Sequence, residues 1–242
     1  MIPDAYPDKL FDREVEENLR LVQERLQAAA RRNCTLLLAT KTVSPRQINM
    51  LARRSGVTLI GENRVQELCD KYPELDTSIL QIHFIGHLQT NKVRQIIDKV
   101  SMIHSLDRME LAMEINRRAE TKNLRMDVLC EINSGREATK GGLLPEEAEE
   151  FVREVARLPH LRVRGLMTMA PRCETEPEYA PYFSETAKLF ERLAALHIEG
   201  TRMDTLSMGM SDSFEAAARC GANMVRVGGA VFGRRAALAQ GV

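Results

Sequence analysis

The chain has 242 residues, 44% of them hydrophobic and 28% charged, with Lys+Arg 34 set against Asp+Glu 34. This is the usage of a soluble globular protein large enough for one α/β barrel, and its zero formal net charge leaves no field to draw a polyanion. The absence of Trp and an aromatic content of 5% also argue against nucleic acid, whose single strands are bound on aromatic platforms.

The N-terminal stretch MIPDAYPDKLFDREVEENL is acidic and polar, unlike a secretory leader. No run in the chain approaches the roughly 20 apolar residues that cross a bilayer. From Asp8 to Arg32, Leu10, Val15, Leu19, Val22, Leu26 and Ala29 recur at helical spacing. They predict an amphipathic helix over about 8–32 that packs on the rest of the chain or pairs with a second copy. Eight short apolar runs follow, at 35–40, 57–61, 81–86, 100–107, 126–133, 163–169, 204–209 and 224–233, and each predicts a strand. Helices are predicted to start near Ser44, Asn63, Thr90, Asp107, Pro145, Glu178 and Ser211, with a short closing one after Gly233. Ser44-Pro45-Arg46-Gln47 reads as a capping box with proline at the first helical position, and Asp107 to Glu110 reads as a second box with Asp in the cap.

Eight strand-then-helix units with near-continuous apolar strands imply a parallel sheet covered by helices, and eight is the number that closes a (β/α)8 TIM barrel. The expected fold is therefore an α/β barrel over about 35–235 with an extra N-terminal helix, in a single domain spanning 1–242. An open doubly wound sheet is the alternative. The five cysteines are far apart and show no CxxC spacing, so neither a disulfide framework nor a zinc site is expected. Reduced thiols and the missing leader point to the cytoplasm, with no membrane and no nucleic acid as partner.

In this fold, functional groups sit at the C-terminal ends of strands. The first strand ends at Lys41, which a partly desolvated barrel mouth would make available as a neutral amine for a carbonyl. A rim lysine paired with a carboxylate is the competing reading. The seventh unit runs through Ser207 to a helix start at Ser211, and the eighth carries Arg226 with Gly228 and Gly229. Hydroxyls, a helix N-terminus and close backbone approach make a phosphate cradle there. Glycines that only permit packing, and a serine that only caps its helix, would look the same. An inward Arg226 is a fixed cation near that cradle, or one half of a buried pair with a carboxylate such as Glu131. Together an imine-forming lysine, a phosphate cradle and an inward arginine suggest pyridoxal 5'-phosphate. An arginine at its ring nitrogen would weaken the cofactor as an electron sink.

His83 and His87 are four apart but read as strand and turn, so they are not expected to form a metal site. Asn63 follows a strand tip, where capping a helix accounts for it as well as lining the site does. Met167, Met169, Met208 and Met210 are expected as soft wall residues.

The pieces ATKTVSP, GENRVQE, HFIGHLQTNK, SLD, GLMTMAP, LSMGMSDSFEAA and MVRVGGAVFG, in that order, resemble the pyridoxal phosphate homeostasis protein family. The resemblance implies a barrel like the N-terminal domain of alanine racemase, with pyridoxal phosphate held as a Schiff base on Lys41. It places the phosphate around Ser207, Ser211, Gly228 and Gly229, Arg226 at the pyridine nitrogen, and Asn63 at the pocket wall. It also implies a carrier or regulator of the cofactor in vitamin B6 and amino-acid homeostasis, with pyridoxal phosphate-dependent apo-enzymes as partners and no catalytic residue. A monomer is expected, because no C-terminal β domain follows Gly233, and two-base racemisation is not expected, because the partner tyrosine has no counterpart; Tyr6, Tyr72, Tyr179 and Tyr182 lie away from the strand tips, with an approach of Tyr179 and Tyr182 from the loop after strand six as the alternative. The enzyme-class alternatives are a pyridoxal phosphate-dependent racemase or lyase, and a cofactor-free Schiff-base aldolase. The loop over 170–182 is long enough to read as a lid.

Overall fold

The structure is a computed structural model that describes residues 8–233, with side chains from residue 13 onward. Tyr6, the side chain of Leu10 and the predicted closing helix after Gly233 lie outside the described residues. Eight parallel strands close into a barrel in chain order: β1 (Thr35–Ala39), β2 (Leu59–Glu62), β3 (Gln81–Phe84), β4 (Met102–Leu106), β5 (Met126–Ile132), β6 (Leu161–Thr168), β7 (Thr201–Met208) and β8 (Met224–Val227). Pairing of Leu36 with Val225 and Leu38 with Val227 makes the closing seam between β1 and β8, and it excludes the open sheet.

The helices are α1 (Asp8–Ala29), α2 (Pro45–Ser55), α3 (Val65–Lys71), α4 (Val93–Ile96), α5 (Met109–Thr121), α6 (Ala148–Val155), α7 (Ala180–Ala195), α8 (Phe214–Arg219) and α9 (Gly229–Phe232). α2 begins as its sequence predicts: Ser44 accepts from the Gln47 amide, the Gln47 side chain accepts from the Ser44 amide, and Gly56 ends the helix at φ 71°. Other predicted starts shift. Arg64, not Asn63, takes the cap position of α3. Asp107 does not cap α5, because its carboxylate takes the Arg108 guanidinium at 2.6 Å. α8 begins at Phe214, three residues past Ser211. The predicted eighth strand stops at Val227, and Gly229 to Phe232 turn into α9 instead. A short apolar run is the same for a strand and a buried helical turn, so periodicity does not separate them.

α1 buries Val15, Leu19, Val22 and Leu26 and lies against α8 and α9. Asn18 donates to the Val231 carbonyl at 3.2 Å, and Arg25 pairs with Glu215 at 2.6 Å. Because α9 has only one turn, the N-terminal helix supplies the cover that a full eighth helix gives elsewhere in such barrels.

Strand residues alternate between the helical shell and the lumen. Leu36 and Leu38 join the large cluster beneath the helices, while Leu37 packs with Leu59, Ile85 and Met224 inside. Met102, Leu129 and Met167 form a second inner cluster. Carried two residues at a time toward the C-terminal ends, the inward parity passes through Lys41, Asn63, Glu131, Ser207, Arg226 and Gly228. The strand alternation thus aims most of the candidate residues at one mouth.

Candidate functional site

Lys41 stands two residues beyond the end of β1, in the turn to α2, and it is exposed rather than partly desolvated. The strand's last hydrogen bond, from the Thr40 amide to the Gly61 carbonyl at 3.0 Å, is made just before it. The side chain therefore springs from the rim and not from the lumen wall.

Beside it across the β1–β8 seam lies the end of β8. A Cβ added to Gly228 would come within 2.8 Å of the Ala39 carbonyl oxygen, so the missing side chain lets the tip of β8 seat against the strand that carries Lys41. At Gly229 the nearest atom to such a Cβ is the Ser211 hydroxyl at 3.6 Å, an ordinary van der Waals contact, so a side chain there would clash with nothing. Ser211 does not cap α8. Its hydroxyl oxygen accepts from the amides of Gly228 at 3.3 Å and Ala230 at 3.1 Å, which gathers the turn amides around one hydroxyl. The two glycines thus differ: Gly228 permits the packing of the strand ends, whereas a side chain at Gly229 would meet only the Ser211 hydroxyl.

Arg226 is 4% exposed and points inward. It donates to the Ser207 hydroxyl at 2.7 Å and to the Thr168 carbonyl at 2.9 Å. Glu131 acts on it as a facing charge rather than as a hydrogen-bonded partner. Burial pulls the Arg226 guanidinium down to about 10, which leaves it cationic at neutral pH. Burial pushes the Glu131 carboxyl up to about 7, Asp107 adds to the rise and Arg226 opposes it.

Ser207 is fully buried, and its hydroxyl is already committed. Arginine only donates, so Ser207 accepts from Arg226 and turns its own hydrogen toward His104 Nδ1 at 3.3 Å. His104 then carries its proton on Nε2, which meets His83 Nδ1 at 2.9 Å. His83 Nε2 ends the chain, buried and without a partner. Burial lowers both imidazoles, His83 to about 4, in keeping with two neutral rings. The structure therefore places Ser207 beneath Arg226, in a line of donors that fixes the guanidinium, and brings Ser211, Gly228 and Gly229 together apart from it.

Asn63 follows β2 with its Oδ1 buried and without a hydrogen-bond partner. A Cβ on Gly86 would lie 2.0 Å from the Asn63 carbonyl oxygen, so a glycine there is what lets the β3 loop close over it. Next to these groups a cavity of about 490 Å³ is lined by Thr168, Tyr179, Gly209, Ser213 and Arg226. Met169 and Met210 line this cavity, as expected of wall residues, and are partly exposed at the strand ends. The loop after β6 is shorter than predicted and tied to itself, with Glu178 accepting from the Glu174 amide at 3.0 Å and the Thr175 hydroxyl at 2.8 Å. A hollow of about 640 Å³ lies at the opposite end of the barrel, beneath the starts of β1 and β2, away from all of these groups. Among the described residues no group of His, Cys, Asp and Glu is arranged to hold a metal, and no helix is long and apolar enough to cross a membrane.

A profile described as the alanine racemase N-terminal domain matches residues 13–236. The pyridoxal phosphate homeostasis protein of Aquifex aeolicus is 44% identical over 225 residues, covering 90% of this chain and 97% of that one. The chain belongs to the pyridoxal phosphate homeostasis protein family. The family member of the same name from Escherichia coli K12 is 38% identical over 232 residues, covering 92% of this chain and 97% of its own. Among solved structures, PipY of Synechococcus elongatus with pyridoxal phosphate bound aligns at a TM-score of 0.79 and 29% identity, over 90% of this chain and 100% of that one. An alanine racemase of Clostridium difficile aligns at 0.70 and 15% identity, over 92% of this chain and 61% of its own, which is a likeness of fold alone. Within the family frame, His104, His83 and Thr168 are the residues that sequence reasoning missed. The signal of the two histidines was a polar side chain of inward parity inside an apolar strand, whereas Thr168 has outward parity and meets Arg226 through its backbone carbonyl, which no side-chain pattern shows.

Proposed function

We propose that this protein binds pyridoxal 5'-phosphate at the mouth of the barrel, as a Schiff base on Lys41, and serves vitamin B6 and amino-acid homeostasis as a carrier without catalytic turnover. The observation that carries the reading is the meeting, at one seam, of an exposed lysine amine, a cluster of turn amides at Ser211 and a buried guanidinium. These fit the three polar ends of the cofactor. The Lys41 amine suits its aldehyde, condensing with loss of water. The amides of residues 228–230 and the Ser211 hydroxyl suit its phosphate. Arg226 suits the ring nitrogen, and the unpartnered Asn63 Oδ1 awaits a donor.

When bound, the cofactor supplies an electron-withdrawing ring that can stabilise negative charge on a substrate carbon. This chain's residues work against that use. Arg226 stays protonated, and the Ser207 hydroxyl and Thr168 carbonyl that accept from it would hold it as a cation toward the ring nitrogen, which would keep that nitrogen unprotonated. The Tyr179 hydroxyl is engaged with the Cys173 backbone, and its ring stacks on Phe183 at 5.9 Å, so it is not poised as a second base. The exposure of Lys41 suits a cofactor that is handed on to apo-enzymes in the cytoplasm by a monomeric carrier.

The test is the visible absorption spectrum of purified protein with pyridoxal 5'-phosphate, beside Lys41→Ala, followed by borohydride reduction and peptide mapping. A Schiff-base band in the wild type, lost in the variant, with the reduced adduct on Lys41, is the expected result. A label on another lysine, or an unaltered Lys41→Ala spectrum, would reject the assignment. Sustained turnover of an amino acid by pure protein would instead make it an enzyme.

A further inference from the structure

The turn that presents Lys41 is held from an unexpected direction. Thr42 has φ 64°, in the left-handed region that a β-branched residue occupies only at a cost of order 1–2 kcal/mol. Such a conformation persists where its surroundings impose it. Here the surroundings are three charged side chains of the next strand and helix.

Lys71, the last residue of α3, is 2% exposed and reaches back to the Thr40 carbonyl at 2.9 Å. Its ammonium also meets Glu62 Oε1 at 3.0 Å and Glu67 Oε1 at 2.6 Å. Glu67 in turn accepts the backbone N–H of Thr42, and Glu62 accepts the Thr40 hydroxyl at 2.7 Å. Thus the peptide carbonyl just before Lys41 and the peptide amide just after it are both bound to one buried group of charges.

Stability alone is a weak reason for such an arrangement. Removing an ammonium and two carboxylates from water is expensive, and apolar residues of the same volume usually do as well. Glu62 shows the expense: one of its oxygens is buried without a partner, and burial pushes its carboxyl up. What charged hydrogen bonds provide and apolar packing does not is direction. Two of them converge here on the peptide groups flanking one residue.

We propose that Glu62, Glu67 and Lys71 are positioning residues that lock the β1–α2 turn in its left-handed form and so present the Lys41 amine to the carbonyl of pyridoxal phosphate. The proposal rests on the assignment of Lys41 as the cofactor's anchor. The same unit orients a second part of the site, since Glu62 immediately precedes Asn63.

The experiment is a titration of wild type, Glu67→Ala, Glu67→Gln and Lys71→Met with pyridoxal 5'-phosphate. The Schiff-base absorbance is followed, the borohydride-trapped adduct mapped, and the folded fraction of each variant set by circular dichroism. Glu67→Ala should remain folded and bind about tenfold more weakly, with slower formation of the band, as a displaced reacting group requires. Glu67→Gln keeps an oxygen for the Thr42 amide and should recover most of that loss. Lys71→Met, which takes the ammonium from buried Glu62 and half-buried Glu67, should lose stability as well as affinity. If wild type forms the band on Lys41 and folded Glu67→Ala forms it with the same affinity and rate, the positioning role is overturned and the triad is structural. Equal losses in Glu67→Ala and Glu67→Gln would also overturn it, because the acceptor for Thr42 would then not matter. A wild type that forms no band on Lys41 overturns the proposed function and this inference with it.

Discussion

Two serines of this barrel look interchangeable in sequence and are not so in space. Ser207 is sealed between Arg226 and His104, whereas Ser211 sits at the turn amides of Gly228 and Ala230. Ser211 is therefore the serine we propose at the phosphate. The expected outcome is that Ser211→Ala lowers affinity for pyridoxal 5'-phosphate while leaving affinity for pyridoxal, which lacks the phosphate, nearly unchanged. Ser207→Ala should weaken both compounds alike, because it acts through the guanidinium that it helps to hold. It should also cost about 1–3 kcal/mol of stability by leaving a buried donor unpaired. Parallel spectroscopic titrations with the two compounds decide it, and a ratio of affinities that moves equally in both variants would count against the assignment of Ser211.

At the scale of elements, the end of β8 shows what a sequence conceals and what it declares. The eight apolar runs and the Ser44 capping box state their structure locally, and the barrel with its cover of helices follows from them. The run MVRVGGAVFG does not, because the four residues after Gly228 are as apolar as a strand and become α9 only where the chain must turn under α1. Ser211 looks like a cap but finds its partners in the turn after β8, 17 and 19 residues away. Lys71 looks like an ordinary helix-terminal lysine. Its real partners, Glu62 and the Thr40 carbonyl, lie 9 and 31 residues back, beyond any local pattern. The two glycines can be separated by experiment. Gly228→Ala forces a methyl to within 2.8 Å of a backbone oxygen, so it should destabilise the protein by about 1–3 kcal/mol and disturb the seam beside Lys41. Gly229→Ala meets nothing closer than 3.6 Å and should leave unfolding within about 0.5 kcal/mol of wild type, while a methyl in the phosphate approach weakens cofactor binding. Urea unfolding of both variants, followed by cofactor titration, would expose the opposite pattern if the roles were reversed.

Taken whole, the molecule is neutral in sum but places ionisable groups deep inside, so its stability depends on pH through groups that the surface hides. At the N-terminal end, Asp127 holds Arg162 at 2.6 Å and Arg164 at 2.5 Å, and Arg164 continues to Asp204 at 2.8 Å. At the functional end, Glu131 is held up at about 7 against an ordinary 4.5, so across that interval the folded protein binds a proton that the unfolded chain has released. Stability from Glu131 is therefore complete below about 4.5 and is lost as pH rises through 7. His83 works in the other sense. Lowered from 6.5 to about 4, it contributes stability above 6.5 that is lost as pH falls toward 4. His104, lowered well below 6.5 by burial, acts in the same sense as His83, so between about 4.5 and 6.5 Glu131 opposes two histidines. Glu131→Gln removes one side of the balance and leaves the histidines and every remote group common to both proteins. The stability of the variant minus that of wild type should therefore rise from pH 4.5 to pH 8, by up to roughly 3 kcal/mol. Urea unfolding of the two proteins at four or five pH values measures that difference directly. A flat difference would mean that Glu131 is ionised throughout, as a carboxylate paired with Arg226 would be, and the arginine could then no longer be counted as a cation reserved for the ring nitrogen.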